Sequence, residues 1–579
     1  MVPDAVLYCA ASRRAPHPTA AGADAERATR EGLWIPGSTL MRCFEVLRTR
    51  PTRTPRGLPA PQRTDGDRTR PKTPRWVIAV LGAVVLFFVV NNGIWLLNDN
   101  TPPSYDRAAH TISALKYLRL FESPTRLSLT KLLTVTQYWP PLFHICSVPF
   151  TMLLGFSVQS VAATNFAFLL IAVYSIYRIG QSLFDDAVGV GAAVITMLYP
   201  IVFALSREVL VDFALMAMVL LCLHLILACK GGLDGKRSWL LGAALGCAML
   251  AKWTAVAFLI GPAILCFALN VRDDRQSVKS KVLALAMLVA AFAVVALPWY
   301  VKSYSQFRAG ARIALGSDPI REGDPVRVWE SLQWYGYALR DLLISKRLLP
   351  ITALGLVIYG VSTRAWRGLA FLLCWILPAA VIFVLIPNKD ARFIVPLLPA
   401  LALMTAAGIR QIPWKALRML TWAFLVVVGG YQFYTISFGW PTVQEHYYTH
   451  PPTKQDWRYA KILTALTLSH PGQRLRIAIL PNEPHFEPNL FKLVAEQRCL
   501  DYQIEGFGDG PEPVERLWSY DVFISKTGPI AIAHTAKWRL EFRERFLGWV
   551  ARDQRSPQFT LWRSWPLPDG SRADVYLVR

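Results

Sequence analysis

"WVIAVLGAVVLFFVVNNGIWLL", residues 76–97, runs for 22 residues without a charge. At 1.5 Å of rise per residue a helix of this length reaches about 33 Å, enough to cross a hydrocarbon core of about 30 Å. Similar apolar runs recur between short charged connectors as far as residue 436. The 579-residue chain is 53% hydrophobic and only 17% charged, against about 25% charged in soluble domains. These features predict a polytopic α-helical membrane protein of roughly 11–13 membrane segments, followed by a small C-terminal α/β domain.

The formal net charge is +23. No Lys/Arg–aromatic module interrupts the apolar pattern, so nucleic acid is not an expected partner. Basic residues of a membrane protein collect in its cytoplasmic loops and face anionic lipid. Residues 1–75, with 14 Lys/Arg against 7 Asp/Glu, are too polar to bury a core and read as a disordered basic cytoplasmic tail. The first span then runs outward. The basic loops 229–237, 270–281, 362–368 and 410–418 are expected in the cytoplasm. Segments 98–137, 206–212, 303–346, 386–392 and 443–579 are expected outside a cell (inner or plasma) membrane. This alternation requires that the Pro-interrupted segment 138–156 does not cross fully. The nine cysteines show no metal-ligand spacing, and six of them lie inside apolar runs as small hydrophobes.

Residues 76–436 form the membrane domain in this reading. Residues 443–579 change character: "RLRIAIL" and "YDVFISK" are strand-like, "DWRYAKILTALTLSH" and "AKWRLEFRERFLGWV" are amphipathic helices, and "LWRSWPLPDGSRADVYLVR" is a closing hairpin around a Pro-Asp-Gly turn. The domain has neither a glycine-rich phosphate loop nor a nucleophile elbow, which points to an accessory role.

Polar groups gather where apolar runs meet the predicted outer face. In "PPSYDRAAHTISALKYL" (102–118), Asp106 and His110 lie one helical turn apart. "SREVLVDF" (206–213) carries Arg207, Glu208 and Asp212, the two acids four apart and so on one helical face. "NKDARFIVPLLPAL" (388–401) sets Lys389 and Arg392 at a helix start. Each alone is an ordinary solvated helix end. Together they mark a site, because charges at the membrane rim are costly and usually functional.

The order of these motifs resembles membrane glycosyltransferases of the GT-C class, in particular the dolichyl-phosphate-mannose protein mannosyltransferase-like family that includes the lipid A aminoarabinose transferases. Asp106 follows the first span, Pro140-Pro141-Leu142 comes next, then Arg207 with Asp212, then Lys389 to Pro396 before Leu398-Pro399-Ala400. The resemblance covers roughly residues 76–436. It implies transfer of a sugar from a polyprenyl-phosphate donor to an extracytoplasmic hydroxyl acceptor (protein, lipid or glycan), with inversion. Asp106 is then the catalytic base, Glu208, Asp212 and His110 the acceptor-side or second acidic group, and Lys389, Arg392 and Arg207 the donor-phosphate cations. The chain departs from the pattern at Arg107, where many relatives carry an acid, at Trp139, where many carry Lys, and at Phe393, where Tyr is usual. Acids at 106, 208 and 212 have the chemistry to hold a divalent ion, but a monophosphate donor does not demand one, so no metal and no cofactor are expected. Two rival readings are a secondary transporter, which would need two repeated halves with broken helices, and a non-catalytic envelope-polymer assembly protein on the same fold.

Overall fold

The computed structural model describes residues 73–578 apart from 124–126, 236, 273–275, 316–323, 363–365, 508–513, 530–536 and 553–558. The expected basic tail lies almost wholly outside the described residues. Among those described, seven helices are long and apolar enough to cross a membrane: Arg75–Asn98, Val158–Leu183, Val211–Ala228, Val278–Lys302, Gly368–Leu385, Ala391–Arg410 and Lys415–Ser437. Five shorter apolar helices accompany them, Leu142–Leu154, Asp186–Leu198, Ser238–Ala251, Ala255–Asn270 and Leu349–Ser362. Seven and five make twelve, within the number of segments expected from the sequence. The chain is a multi-pass helical membrane protein.

Glycine and proline set the ends of two of these helices. Leu142–Leu154 runs on through Pro149 and stops at Gly155 (φ 76°) after 13 residues, about 20 Å, less than the hydrocarbon thickness. Pro200 has no N–H to donate and forces Tyr199 into extended backbone (φ −68°, ψ 130°), so the apolar run 187–205 becomes two helices, Asp186–Leu198 and Pro200–Leu205. The second ends at Ser206 and the next begins at Val211. This corrects one expectation: Glu208 lies in the turn between two helices, whereas Asp212 lies in the first turn of Val211–Ala228. Spacing by four places residues on one face only where the helix is continuous.

The spans differ in how much protein surrounds them. Val211–Ala228 and Ala391–Arg410 each have 78% of their apolar window buried inside the molecule, against 17% for Arg75–Asn98 and for Val278–Lys302. The helices that carry Asp212 and Arg392 are therefore inner ones, and their charges face protein rather than lipid. Ala391–Arg410 is locked in place by a close helix crossing: a Cβ on Gly408 would lie 1.9 Å from the Gly355 carbonyl oxygen, so only glycine permits that approach.

Beyond the last span the chain builds a five-stranded sheet of order β2-β1-β3-β5-β4, with β1 (Arg476–Leu480), β2 (Gln503–Gly506), β3 (Val522–Thr527), β4 (Phe559–Pro566) and β5 (Arg572–Val578). β1 pairs parallel to β2 and β3, while β5 pairs antiparallel to β3 and β4. Helices Tyr459–Ser469 and Pro488–Gln497 cover one face through Ile462, Leu466 and Phe491 against Ile477, Ile479 and Ile524. Phe546 of helix Lys537–Arg552 covers the other against Ala478 and Phe523. Burial on both faces explains why β1 reads as a near-continuous apolar run. The two strand-like runs, the two amphipathic helices and the closing hairpin appear where the sequence put them; β2 and Pro488–Gln497 carried no clear signal.

Candidate active site

Asp106 opens the helix Asp106–Glu122 and Tyr105 precedes it at φ 51°, ψ −116°, a conformation that costs a non-glycine residue about 1–3 kcal/mol. The sheet domain holds this turn. The Tyr105 N–H donates to the Glu487 carboxylate at 3.1 Å, and Glu487 also caps Pro488–Gln497. The hydrophobic core of the sheet domain continues through Ala108 onto the same helix. Lys116 reaches Glu496 at 3.4 Å. The sheet domain thus fixes the helix on which Asp106 stands.

The partner of Asp106 comes from the far end of the membrane domain. Arg392 Nη2 donates to Asp106 Oδ2 at 2.6 Å, and its Nε donates to Asp390 Oδ2 at 2.7 Å. Arg392 Nη1 stands 4.0 Å from Asp212 Oδ2. Asp390 also caps the turn Ala391–Leu397 by accepting from the Arg392 N–H, and accepts from the Tyr448 hydroxyl at 2.5 Å. Lys252 Nζ closes the chain of charges at 2.7 Å from Asp212 Oδ1, resting over the Phe393 ring at 4.4 Å. Acids and bases alternate, so no charge in the row is buried alone.

Accessibility separates their roles. Of the Asp106 side chain 36% is exposed, against 17% of Arg392 and 1% of Asp212. Asp106 is the most accessible carboxylate of the row. Burial pushes its carboxyl up, but the Arg392 guanidinium and its hydrogen bond, together with His110 and Lys252, hold Asp106 below the usual carboxylate range. Burial pushes the His110 imidazole down to about 4 against the pull of Asp106. His110 is therefore neutral at physiological pH, its Nδ1 sharing a proton-bearing contact of 3.0 Å with His144 Nε2.

The other expected residues are placed differently. Lys389 does not join Arg392. Its ammonium donates to the carbonyls of Phe383 (3.1 Å), Val384 (3.0 Å) and Ile386, which are the orphan acceptors at the end of Trp366–Leu385. Lys389→Met should accordingly cost about 1–3 kcal/mol of stability through unsatisfied buried carbonyls and leave the dependence on donor concentration unchanged; thermal unfolding and donor titration of the purified variant check both. Arg207 and Glu208 turn to a second group of side chains, with Arg107 Nε 3.3 Å from Glu208 Oε2 and Arg207 Nη2 donating to Thr449 Oγ1 at 2.7 Å. Lys252 and Asp390 were not read from the sequence. Lys252 had a signal, since it interrupts the apolar run 238–270 and such charges are functional by default. Among the described residues no group of three or more His, Cys, Asp or Glu side chains is arranged to hold a metal ion.

Residues 139–299 match the family model described as dolichyl-phosphate-mannose-protein mannosyltransferase. Among solved structures, the chain is similar to ArnT from Cupriavidus metallidurans bound to undecaprenyl phosphate, with 12% identity and a TM-score of 0.51 over 86% of this chain and 97% of that one. It is similar to the oligosaccharyltransferase AglB from Archaeoglobus fulgidus, in complex with an inhibitory peptide and a dolichol-phosphate, with 12% identity and a TM-score of 0.53 over 86% of this chain and 74% of that one. The mycobacterial arabinofuranosyltransferase AftD gives a TM-score of 0.52 over 87% of this chain and 41% of that one. No curated protein matches the sequence significantly.

Proposed function

With the fold of the GT-C membrane glycosyltransferases as premise, we propose that this chain transfers a sugar from a polyprenyl-phosphate donor to a hydroxyl acceptor at the extracytoplasmic face. The observation that carries the reading is the Asp106–Arg392 contact of 2.6 Å at the partly exposed rim, which sets a candidate base against a candidate phosphate-binding cation. A donor phosphate competes for Arg392, whose guanidinium matches its oxygens. Once Arg392 turns to phosphate, Asp106 loses its counter-charge while remaining half-buried, and its affinity for a proton rises. The carboxylate then takes the acceptor hydroxyl proton as that oxygen bonds to the anomeric carbon. The bond from that carbon to the phosphate oxygen breaks on the opposite side, which inverts the centre. Arg392, with Lys252 behind it, stabilises the charge left on the lipid phosphate. The expected result is incorporation of radiolabel from a polyprenyl-phosphate sugar into membrane acceptors, retained in the presence of chelator. A fold-competent protein that transfers nothing from any such donor would return the assignment to the assembly or transporter readings.

The ion pair requires segments 98–137 and 386–392 to share one aqueous face, and the packing of Ala108 into the sheet domain adds 443–579 to it. We assign that face to the outside. Single cysteines at Ser128, Asn388 and Asp501 should react with a membrane-impermeant thiol reagent in intact cells. Cysteines at Lys279 and Gln411 should react only after permeabilisation. The reverse pattern would place the site in the cytoplasm and remove the extracytoplasmic acceptor.

A further inference from the structure

The turn ahead of helix Leu142–Leu154 sets two aromatic rings beside the start of Asp106–Glu122. The Trp139 ring centre lies 4.8 Å from that of His110, one helical turn beyond Asp106. The Tyr138 ring meets Trp139 edge to face at 4.6 Å. Tyr138 is 43% exposed and Trp139 is half-buried. Burial and the nearby Asp106 carboxylate push the Tyr138 hydroxyl above its ordinary value, so this ring too stands within the field of the candidate base. The turn is stiff. Trp299 Nε1 donates to the Thr136 carbonyl at 2.8 Å, and Pro140 and Pro141 restrict the backbone directly after Trp139. Gly310 of helix Tyr304–Leu315 lies against the Tyr138 ring, where a Cβ would approach to 2.6 Å, so glycine is what allows the contact.

Where the rings face tells what they meet. Trp329 and Trp440 are each 69% exposed, as aromatic side chains of a membrane-interface belt are. Trp139 instead packs on His110, which is 1% exposed, in the helix that carries Asp106. An aromatic face is apolar and carries negative charge density. The C–H face of a sugar ring is apolar and weakly positive, and its hydroxyls suit an indole N–H or a phenol O–H at the ring edges. Rings already fixed by their surroundings lose little freedom when such a ligand docks.

We propose that Tyr138 and Trp139 form the platform on which the sugar ring of the donor stacks, and so determine which sugars react at Asp106. The donor ring is the occupant because its anomeric carbon must lie between the hydroxyl that Asp106 activates and the phosphate that Arg392 holds. That places the ring beside Asp106 whatever the acceptor is. The platform deepens the transferase reading and rests on it.

The test uses the full chain in detergent, with a polyprenyl-phosphate sugar as donor and polyprenyl phosphate, which lacks the sugar, as inhibitor. Trp139→Leu keeps an apolar side chain but removes the ring. It should raise the donor concentration for half-maximal single-turnover transfer about tenfold and leave inhibition by polyprenyl phosphate unchanged. Trp139→Phe, which restores a ring, should recover most of the loss. If Trp139→Leu fails to fold, Tyr138→Leu, at a side chain that is 43% exposed, carries the same expectations. Inhibition that weakens in step with donor use would show that the rings grip the lipid phosphate, and the proposal falls. It falls equally if only the maximal rate drops, which would mean that Trp139 merely props His110, or if only the dependence on acceptor changes. Asp106→Asn separates the two failures. If that variant is inactive while Trp139→Leu keeps the wild-type donor dependence, the platform alone is lost; if it is active, the transferase mechanism is lost with it.

Discussion

Asp106→Asn should lower the rate of sugar transfer about a hundred- to ten-thousandfold, the contribution of a positioned general base, in a protein that remains folded and inserted. The amide has nearly the same shape as the carboxylate, and its oxygen still accepts from Arg392 Nη2. What it lacks is the capacity to take a proton. Loss of the ion pair should cost little stability, since Asp106 is 36% exposed and partly solvated pairs contribute about 0–1 kcal/mol. Arg392 is not left unpaired, because Asp390 remains 2.7 Å from its Nε. Single-turnover transfer and thermal unfolding of the purified variant separate the two effects. Activity within a few-fold of wild type would falsify the assignment of the base. Asp212 is a poor substitute, being 1% exposed and bonded to Lys252 at 2.7 Å.

Arg392→Gln should produce the second large effect, a fall in kcat/KM of about 10- to 100-fold for the donor, as expected when a hydrogen bond to a charged group worth about 1.5–3 kcal/mol is lost. The pH profile adds a signature that a structural role does not predict. In the wild type, Arg392, together with His110 and Lys252, offsets the effect of burial and holds Asp106 below its ordinary value. The base is then ionised, and the free enzyme competent, down to a pH beneath the usual carboxylate range. Without the guanidinium and its hydrogen bond, burial remains and only the pull of His110 and Lys252 is left to oppose it. The folded-state pKa of Asp106 rises, so the acid limb of kcat/KM moves to higher pH. An acid limb that stays in place, or moves to lower pH, contradicts the assigned pairing.

The membrane character, the positions of most apolar helices and the α/β nature of the C-terminal region were legible in the sequence. Hydrophobic runs and strand alternation are local properties, and a span such as 76–97 must be helical because lipid offers its backbone no other partner. Asp106 and Arg392 were legible for a related reason: a charge at the end of an apolar run is expensive wherever the chain goes. Their pairing was not, since it joins residues 286 apart in the chain. The tertiary structure alone decided that Lys389 serves three helix-end carbonyls, that Lys252 and Asp390 complete the row of charges, and that Glu208 and Asp212 part company at the turn before Val211. The physical reason is common to all of these. A buried ion is stabilised by whichever opposite charge or orphan carbonyl the packing brings within about 3 Å, and packing is set by contacts between helices that no local spacing encodes.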